Sequence, residues 1–218
     1  MALKYQVVPV TSFSQNCSIV WCDETMKGIV VDPGGDEKQL SMLIKELGVE
    51  VVNLVLTHGH LDHVGGTEPL SALLGGTEIV GPHKADNFWL QGLEGQSQMF
   101  GFPLTEAFEP HQWLNEGDAV TFGNQALNVI HTPGHTPGHV VLYSEDARLA
   151  FVGDVLFNGS VGRTDFPQGD FNTLICSIKE KLWPLGNDVT FVPGHGPQST
   201  FGHERKTNPF VADEMPLY

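Results

Sequence analysis

Apolar residues recur along this chain in short blocks whose period changes from one block to the next. Tyr5 to Val10, Cys17 to Cys22 and Gly28 to Asp32 are apolar segments of strand length, broken by turn residues and closed by Asp32-Pro-Gly-Gly35, and they predict a β-meander. From Glu37 to Leu47 the apolar positions become Leu40, Leu43, Ile44 and Leu47, the spacing of a helix with one buried face, and Gly48 stops the run. Val51 to Leu56 is apolar on both faces, as expected of a strand covered on both sides. A short helix from Glu68 to Leu74 and a strand from Glu78 to Val80 follow, and Gly81 to Pro110 reads as an irregular, glycine-rich stretch.

Asp118 to Phe122, Ala126 to His131, Val140 to Ser144 and Leu149 to Val152 are strands separated by Gly, Asn, Asp and Pro turns, which predicts a second sheet. A helix from Phe171 to Leu182, with Leu174, Ile175, Ile178 and Leu182 on one face, leads to a last strand at Val189 to Val192. This order implies an α/β protein of two β-rich halves with helices outside them. With 218 residues, 40% of them hydrophobic, and no linker-like run, one domain over 1–218 is expected.

The chemistry lies where the apolar strands end. Thr57-His-Gly-His-Leu-Asp-His63 packs His58, His60, Asp62 and His63 into one loop, and His135, Asp154 and His195 follow three later strands. Neutral imidazole and carboxylate are what divalent metals recruit. Glycine and proline accompany these ligands, in Thr132-Pro-Gly-His135, Gly153-Asp154 and Pro193-Gly-His-Gly196, where small residues let the main chain come close to an ion. A lone histidine after a strand is ordinarily structural, but seven such residues at four strand ends are not a coincidence of folding. The spacing reads as a two-metal site: His58, His60 and His135 on one ion, Asp62, His63 and His195 on the other, Asp154 bridging, and Asp62 and Asp154 the catalytic carboxylates. Zinc is the first expectation, with iron or manganese also suited to the donors. His139 is expected behind the ligands, and His83, His111, His131 and His203 are expected to be structural or exposed.

Composition narrows the partners. Lys and Arg number 11 against 26 Asp and Glu, a formal net charge of -15, which repels a nucleic-acid backbone. Bound cations would still admit a small anion locally. Cys17, Cys22 and Cys176 show neither disulfide nor thiolate-metal spacing and suit a reducing compartment. The first residues lack the features of a signal peptide and no apolar stretch is long enough to span a bilayer, so a cytoplasmic protein, plausibly monomeric, is expected.

The four metal-type segments resemble the signature set of the metallo-β-lactamase superfamily over nearly the whole chain. That resemblance implies an αββα sandwich with the metal site at one edge of the two sheets; the reaction must come from elsewhere. Two further segments, Asn158-Gly-Ser-Val-Gly-Arg-Thr-Asp165 with Phe166-Pro-Gln-Gly-Asp170, and Glu204-Arg-Lys-Thr-Asn-Pro-Phe210, resemble the glyoxalase II branch, the hydroxyacylglutathione hydrolases. The resemblance implies hydrolysis of S-D-lactoylglutathione or related acyl-glutathione thioesters, in methylglyoxal detoxification, by a metal-bridging hydroxide. Arg163 is the expected substrate contact, a guanidinium fork for a glutathione carboxylate. Two departures stand out: Asp165 replaces a substrate-contacting tyrosine, and residues 203–218 form a short tail in place of a helical glutathione-binding domain. The short, single-domain bacterial type is the nearer resemblance.

Persulfide dioxygenases of the same superfamily, which use one iron and dioxygen, share the Gly162-Arg-Thr-Asp-Phe166 loop and are the main rival. They usually replace the final Pro-Gly-His-Gly that stands here at Pro193 to Gly196. A hydrolase of another small ester or thioester is a further possibility. A β-lactamase would be expected to carry a secretion signal and often a cysteine at position 154, a nuclease is opposed by charge, and a non-catalytic scaffold by the complete ligand set.

Overall fold

The structure is a computed structural model and describes residues 2–213. The N-terminal half runs β1 (Leu3–Val10), β2 (Gln15–Cys22), β3 (Lys27–Val31), α1 (Glu37–Leu47), β4 (Glu50–Val55), α2 (Leu61–Val64), α3 (Thr67–Leu73) and β5 (Glu78–Val80). A single 3₁₀ turn at Lys84–Asp86 then leads into α4 (Asn87–Gln91) and α5 (Leu93–Phe100). The remainder is β6 (Ala119–Phe122), β7 (Gln125–His131), β8 (Val140–Ser144), β9 (Leu149–Gly153), β10 (Leu156–Phe157), β11 (Ser160–Val161), α6 (Phe171–Cys176), β12 (Thr190–Pro193), β13 (Ser199–Thr200) and α7 (Phe201–Thr207).

The strands form two main sheets, ordered β1-β2-β3-β4-β5 and β13-β12-β9-β8-β7-β6. The antiparallel meander β1-β2-β3 passes into the parallel strands β4 and β5, and β9 lies parallel to β12 in the second sheet. Between the sheets lies one apolar layer, including Val20, Ile29, Val55, Leu142, Phe151 and Val192. A second cluster joins the outer face of the first sheet to α1, α3 and α5 through residues such as Leu40, Leu70 and Leu93, and a third joins the other sheet to α6 and α7 through Leu174, Ile178 and Phe201. This is the αββα sandwich expected from the resemblance. It also explains why β8 and β9 are buried at every position: each has helices or the other sheet on both faces.

Two segments depart from the sequence reading. Gly81 to Pro110 is not wholly irregular, because it contains α4 and α5. These helices are short, interrupted by Gly92, and α5 buries Gln96 and Ser97 alongside Leu93, so its inward face does not register as apolar. The helix predicted over Phe171–Leu182 is regular only to Cys176; a wider π turn spans Ser177–Leu182 and a 3₁₀ turn follows at Trp183–Leu185. At that change of pitch Ser177 donates its hydroxyl to the Pro133 carbonyl at 2.7 Å, tying the helix to the loop that carries His135.

Residues 203–213, expected as a tail, return to the core. Glu204 is fully buried and accepts from the Gly159 amide at 2.9 Å and the Asn208 side-chain amide at 2.9 Å, while Val211 and Ala212 are also buried. Positions 214–218 lie outside the described residues. No helix among the described residues is long and apolar enough to cross a membrane.

Candidate metal centre

The loops that leave β4, β7, β9 and β12 meet at one edge of the sandwich. The parallel pair β9 and β12 ends there together, so Asp154 and His195 arrive side by side. Gly194 donates its amide to the Gly153 carbonyl at 2.7 Å, and Asn16 donates its own to Gly194 at 2.7 Å, lacing both sheets across the site. A side chain at Gly194 has no room: a Cβ there would stand 2.1 Å from Asp154 Oδ1 and 2.6 Å from His63 Cε1.

All seven residues expected to bind metal come together. His58 Nε2 lies 3.1 Å from His60 Nδ1, which lies 3.0 Å from His135 Nε2, so three ring nitrogens face one point. A second group contains Asp62, His63 and His195, with His195 Nε2 3.1 Å and His63 Nε2 3.8 Å from Asp62 Oδ2. Asp154 reaches both groups: its Oδ1 is 3.3 Å from His63 Nε2, and its Oδ2 is 3.7 Å from both His135 Nε2 and His195 Nε2.

The surrounding hydrogen bonds decide which nitrogens stay free. His135 Nδ1 is 2.6 Å from the Arg163 carbonyl, which can only accept, so the proton sits on Nδ1 and the Nε2 lone pair faces the first group. Asp32 accepts the Thr57 amide at 2.7 Å and its hydroxyl at 2.6 Å, and Thr57 Oγ1 is left to accept from His58 Nδ1 at 3.1 Å. Carboxylate, hydroxyl and imidazole thus form a relay that turns His58 Nε2 inward. The same Asp32 lies 2.9 Å from His63 Nδ1, fixing a ring of the second group as well.

Electrostatics sort the two groups by charge. Burial, reinforced by neighbouring imidazoles, holds His58 well below the usual histidine range and brings His60 to about 3; burial also lowers His135. That group is therefore neutral, the form that donates lone pairs. At His63 burial also pulls downward, but Asp154, Asp62 and Asp32 outweigh it and raise the ring well above its ordinary value. For Asp154 the opposition runs the other way: burial favours the neutral acid, yet His63 and its neighbours hold the carboxyl far below the usual range.

This donor set fits metal ions by an observation independent of its spacing. His63 Nε2 and Asp154 Oδ1 are buried and face each other across 3.3 Å in the second group without forming a directed hydrogen bond, and neither has another hydrogen-bond partner. Buried polar atoms are ordinarily satisfied, and a cation supplies what these lack. His58, His60 and His135 could hold one ion and Asp62, His63 and His195 another, with Asp154 between them. The nitrogen and oxygen donors suit zinc, iron or manganese.

His139 stands behind the site, stacked on His58 with centroids 4.7 Å apart, its Nε2 accepting the Asp154 amide at 3.0 Å. Away from the site, His83 and His131 stack on each other at 4.3 Å, His111 Nδ1 accepts the Ile79 amide and His203 is exposed on α7. Arg163 lines the mouth of the adjoining cavity, but its guanidinium is taken up by Asp165 at 3.0 and 2.8 Å and lies 4.6 Å over the Phe166 ring.

Two supporting carboxylates were not picked out from the sequence. In the sequence Asp32 opens the Asp-Pro-Gly-Gly turn, and its left-handed φ of 51° is a conformation that aspartate tolerates better than most residues. Its sequence signal was a carboxylate at the end of an apolar strand. Asp86 is fully buried and accepts from the Gly59 amide at 2.9 Å, the Thr136 hydroxyl at 2.7 Å and the Gly138 amide at 2.5 Å, so it joins the His58–His63 loop to the His135–His139 loop. It lies in the stretch read as irregular and had no such signal.

Comparison with known proteins agrees with this geometry. The profile of the metallo-beta-lactamase superfamily matches residues 10–195. A hydroxyacylglutathione hydrolase, GloC, of Haemophilus influenzae is 44% identical over 96% of this chain and 98% of its own length. Mouse mitochondrial persulfide dioxygenase ETHE1 is 34% identical over 85% of this chain and 67% of its own. Among solved structures, the BLEG-1 B3 metallo-beta-lactamase superposes with a TM-score of 0.88 at 33% identity, covering 95% of this chain and 99% of that one. TTHA1623 in a di-iron-bound form gives 0.86 at 34% identity, covering 94% and 100%.

Proposed function

This chain belongs to the metallo-beta-lactamase superfamily, and from that premise we propose that it is a metal-dependent hydrolase of S-D-lactoylglutathione or related acyl-glutathione thioesters, serving methylglyoxal detoxification. The observation that carries the reading is the contact of Asp154 with both groups, which joins two sets of metal-type donors into one site. His58, His60 and His135 would hold one ion and Asp62, His63 and His195 the other, with Asp154 placed to serve both. When bound, the two ions supply Lewis acidity toward the thioester carbonyl and lower the pKa of the attacking water.

The residues of the chain do the rest. Asp62, anchored by His195 and facing the cavity, orients the attacking water and takes its proton. Asp154 keeps the two halves of the site in register. A C–O bond forms as the C–S bond breaks, releasing a carboxylic acid and the free thiol. Arg163 meets a glutathione carboxylate by exchanging it for Asp165.

The persulfide dioxygenase reading is favoured by the Gly162-Arg-Thr-Asp-Phe166 loop and by the mouse relative. The complete group at Asp62, His63 and His195 supports the hydrolase instead. Paired assays on metal-loaded protein separate them: loss of thioester absorbance with S-D-lactoylglutathione is expected, whereas oxygen uptake with glutathione persulfide and no thioester loss would replace the proposal.

A further inference from the structure

The cavity beside the metal centre has a volume of about 820 Å³ and two unlike flanks. On one, Phe166 packs 4.8 Å from His60 and carries Arg163, the one Arg or Lys side chain that lines the cavity among the described residues. On the other, Phe13, Met99, Phe100, Phe102 and Phe157 form an apolar wall. That wall is built onto the metal centre: the Phe13 carbonyl faces His195 Nδ1 at 3.2 Å, and Phe157 packs 6.4 Å from the same ring. The Phe13 ring meets Phe102 at 4.9 Å and Phe100 at 5.9 Å.

Of these side chains Phe13 and Phe100 are 44% exposed and Met99 78%, while Phe102 and Phe157 are half-buried. An exposed aromatic surface continuous with a reactive centre marks where the apolar part of a ligand is covered. Glutathione does not match this surface. It carries two carboxylates and an ammonium, whereas the five wall side chains are uncharged and the Arg163 guanidinium stands with Phe166 on the His60 side of the centre rather than the His195 side. The charged thiol portion therefore belongs with Arg163, which directs the acyl group across the centre to the wall. A lactoyl group is small and hydroxylated and leaves most of that wall wet.

We propose that the acyl half of the substrate is a bulky apolar group, alkyl or aryl, seated against Phe13, Met99, Phe100 and Phe157 on the His195 side. This rests on the thioester-hydrolase reading and names its substrate class. The chemistry is unchanged: water adds to the carbonyl carbon, the C–S bond breaks, and an apolar carboxylic acid leaves with the free thiol.

The test uses the metal-loaded full chain and glutathione thioesters that differ only in the acyl group. The expected result is a kcat/KM for hexanoyl- or phenylacetyl-glutathione about tenfold or more above that for the lactoyl thioester. Phe100→Ala should bring that ratio down to near one; Met99→Ala, at a more exposed position, provides the same readout if the first variant loses the native Tm. In parallel, calorimetry with S-hexylglutathione and S-methylglutathione, which have no thioester to cleave, should show tighter binding of the hexyl compound and loss of the difference in the variant. Turnover without apolar preference, or a preference that the variants leave intact, overturns the acyl assignment while the hydrolase reading stands. Apolar preference in binding with no thioester turnover keeps the pocket and overturns the hydrolase reading, and neither binding preference nor turnover overturns both.

Discussion

Asp32 Oδ2 lies 2.9 Å from Nδ1 of His63, a buried carboxylate–imidazole pair between the end of β3 and the short helix α2. The same carboxylate, through Thr57, also governs His58. One residue that is not itself a proposed ligand therefore aims an imidazole in each half of the metal centre.

Replacing it should weaken both halves. Asp32→Asn keeps the size and one acceptor but loses the charge behind His63, and metal affinity is expected to fall by about 10- to 100-fold. Competition against a chromophoric chelator reads this directly. Unchanged affinity would show that His63 is oriented by packing alone.

Gly194 tests how closely the last ligand loop approaches Asp154. Gly194→Ala places a methyl group within 2.1 Å of Asp154 Oδ1, and the expected outcome is protein that purifies with much less metal. Gly196→Ala provides the contrast: that residue has a φ of +77° but nothing within 4 Å of the added carbon, so it strains the backbone without entering the site. Elemental analysis should separate the two, and equal metal content would refute the steric account.

Asp86 should matter for stability and for its pH dependence. Asp86→Ala leaves three buried donors unsatisfied and is expected to cost about 3 kcal/mol, lowering Tm by about 10 °C for a chain of this size. Burial pushes this carboxyl up to about 6 despite the three hydrogen bonds that favour its charged form. Its folded pKa lies above the unfolded value of about 3.9, so its protonation-linked contribution is full below about pH 4 and is lost as pH rises through about 6. In urea unfolding, the advantage of the native protein over Asp86→Ala should therefore narrow across that window. An advantage that widens would mean that the hydrogen bonds outweigh burial.

Arg163 and Asp165 bear on substrate affinity rather than on chemistry. Arg163→Ala should raise KM for glutathione thioesters more than it lowers kcat, and the opposite pattern would remove Arg163 from binding. Asp165→Asn releases the guanidinium, and because the pair is exposed the gain is modest, a KM lowered by about two- to fivefold. A raised KM in that variant would show that Asp165 instead presents Arg163 to the substrate.

Most of the sheet architecture was legible in the chain because strands such as Val140 to Ser144 are unbroken apolar runs between turn residues. The αββα arrangement came from the family resemblance. Helix α1 was legible through the spacing of Leu40, Ile44 and Leu47. Helix α5 was not, since Gln96 faces inward to accept the Leu61 amide and donate to the Trp89 carbonyl, so its buried face is partly polar. The seven proposed ligands stood out because imidazoles and carboxylates cluster at strand ends, whereas Asp86 looks like any loop aspartate until Gly59, Thr136 and Gly138 surround it.

By itself, the order of residues determined the alternation of strands and helices and the stock of metal-binding groups, because both depend on local periodicity and on side-chain chemistry. The division of those groups, with Asp154 between them, was already an expectation from the chain; only the tertiary structure decided what orients them. It gave Asp32 a hold on His58 and His63, closed Asp165 onto Arg163, and brought Phe13 and Phe100 together beside His195. Each relation joins residues far apart in the chain or turns on a side-chain direction. Such relations exist only once the two sheets have packed and the carboxylates and rings share one buried, low-dielectric space.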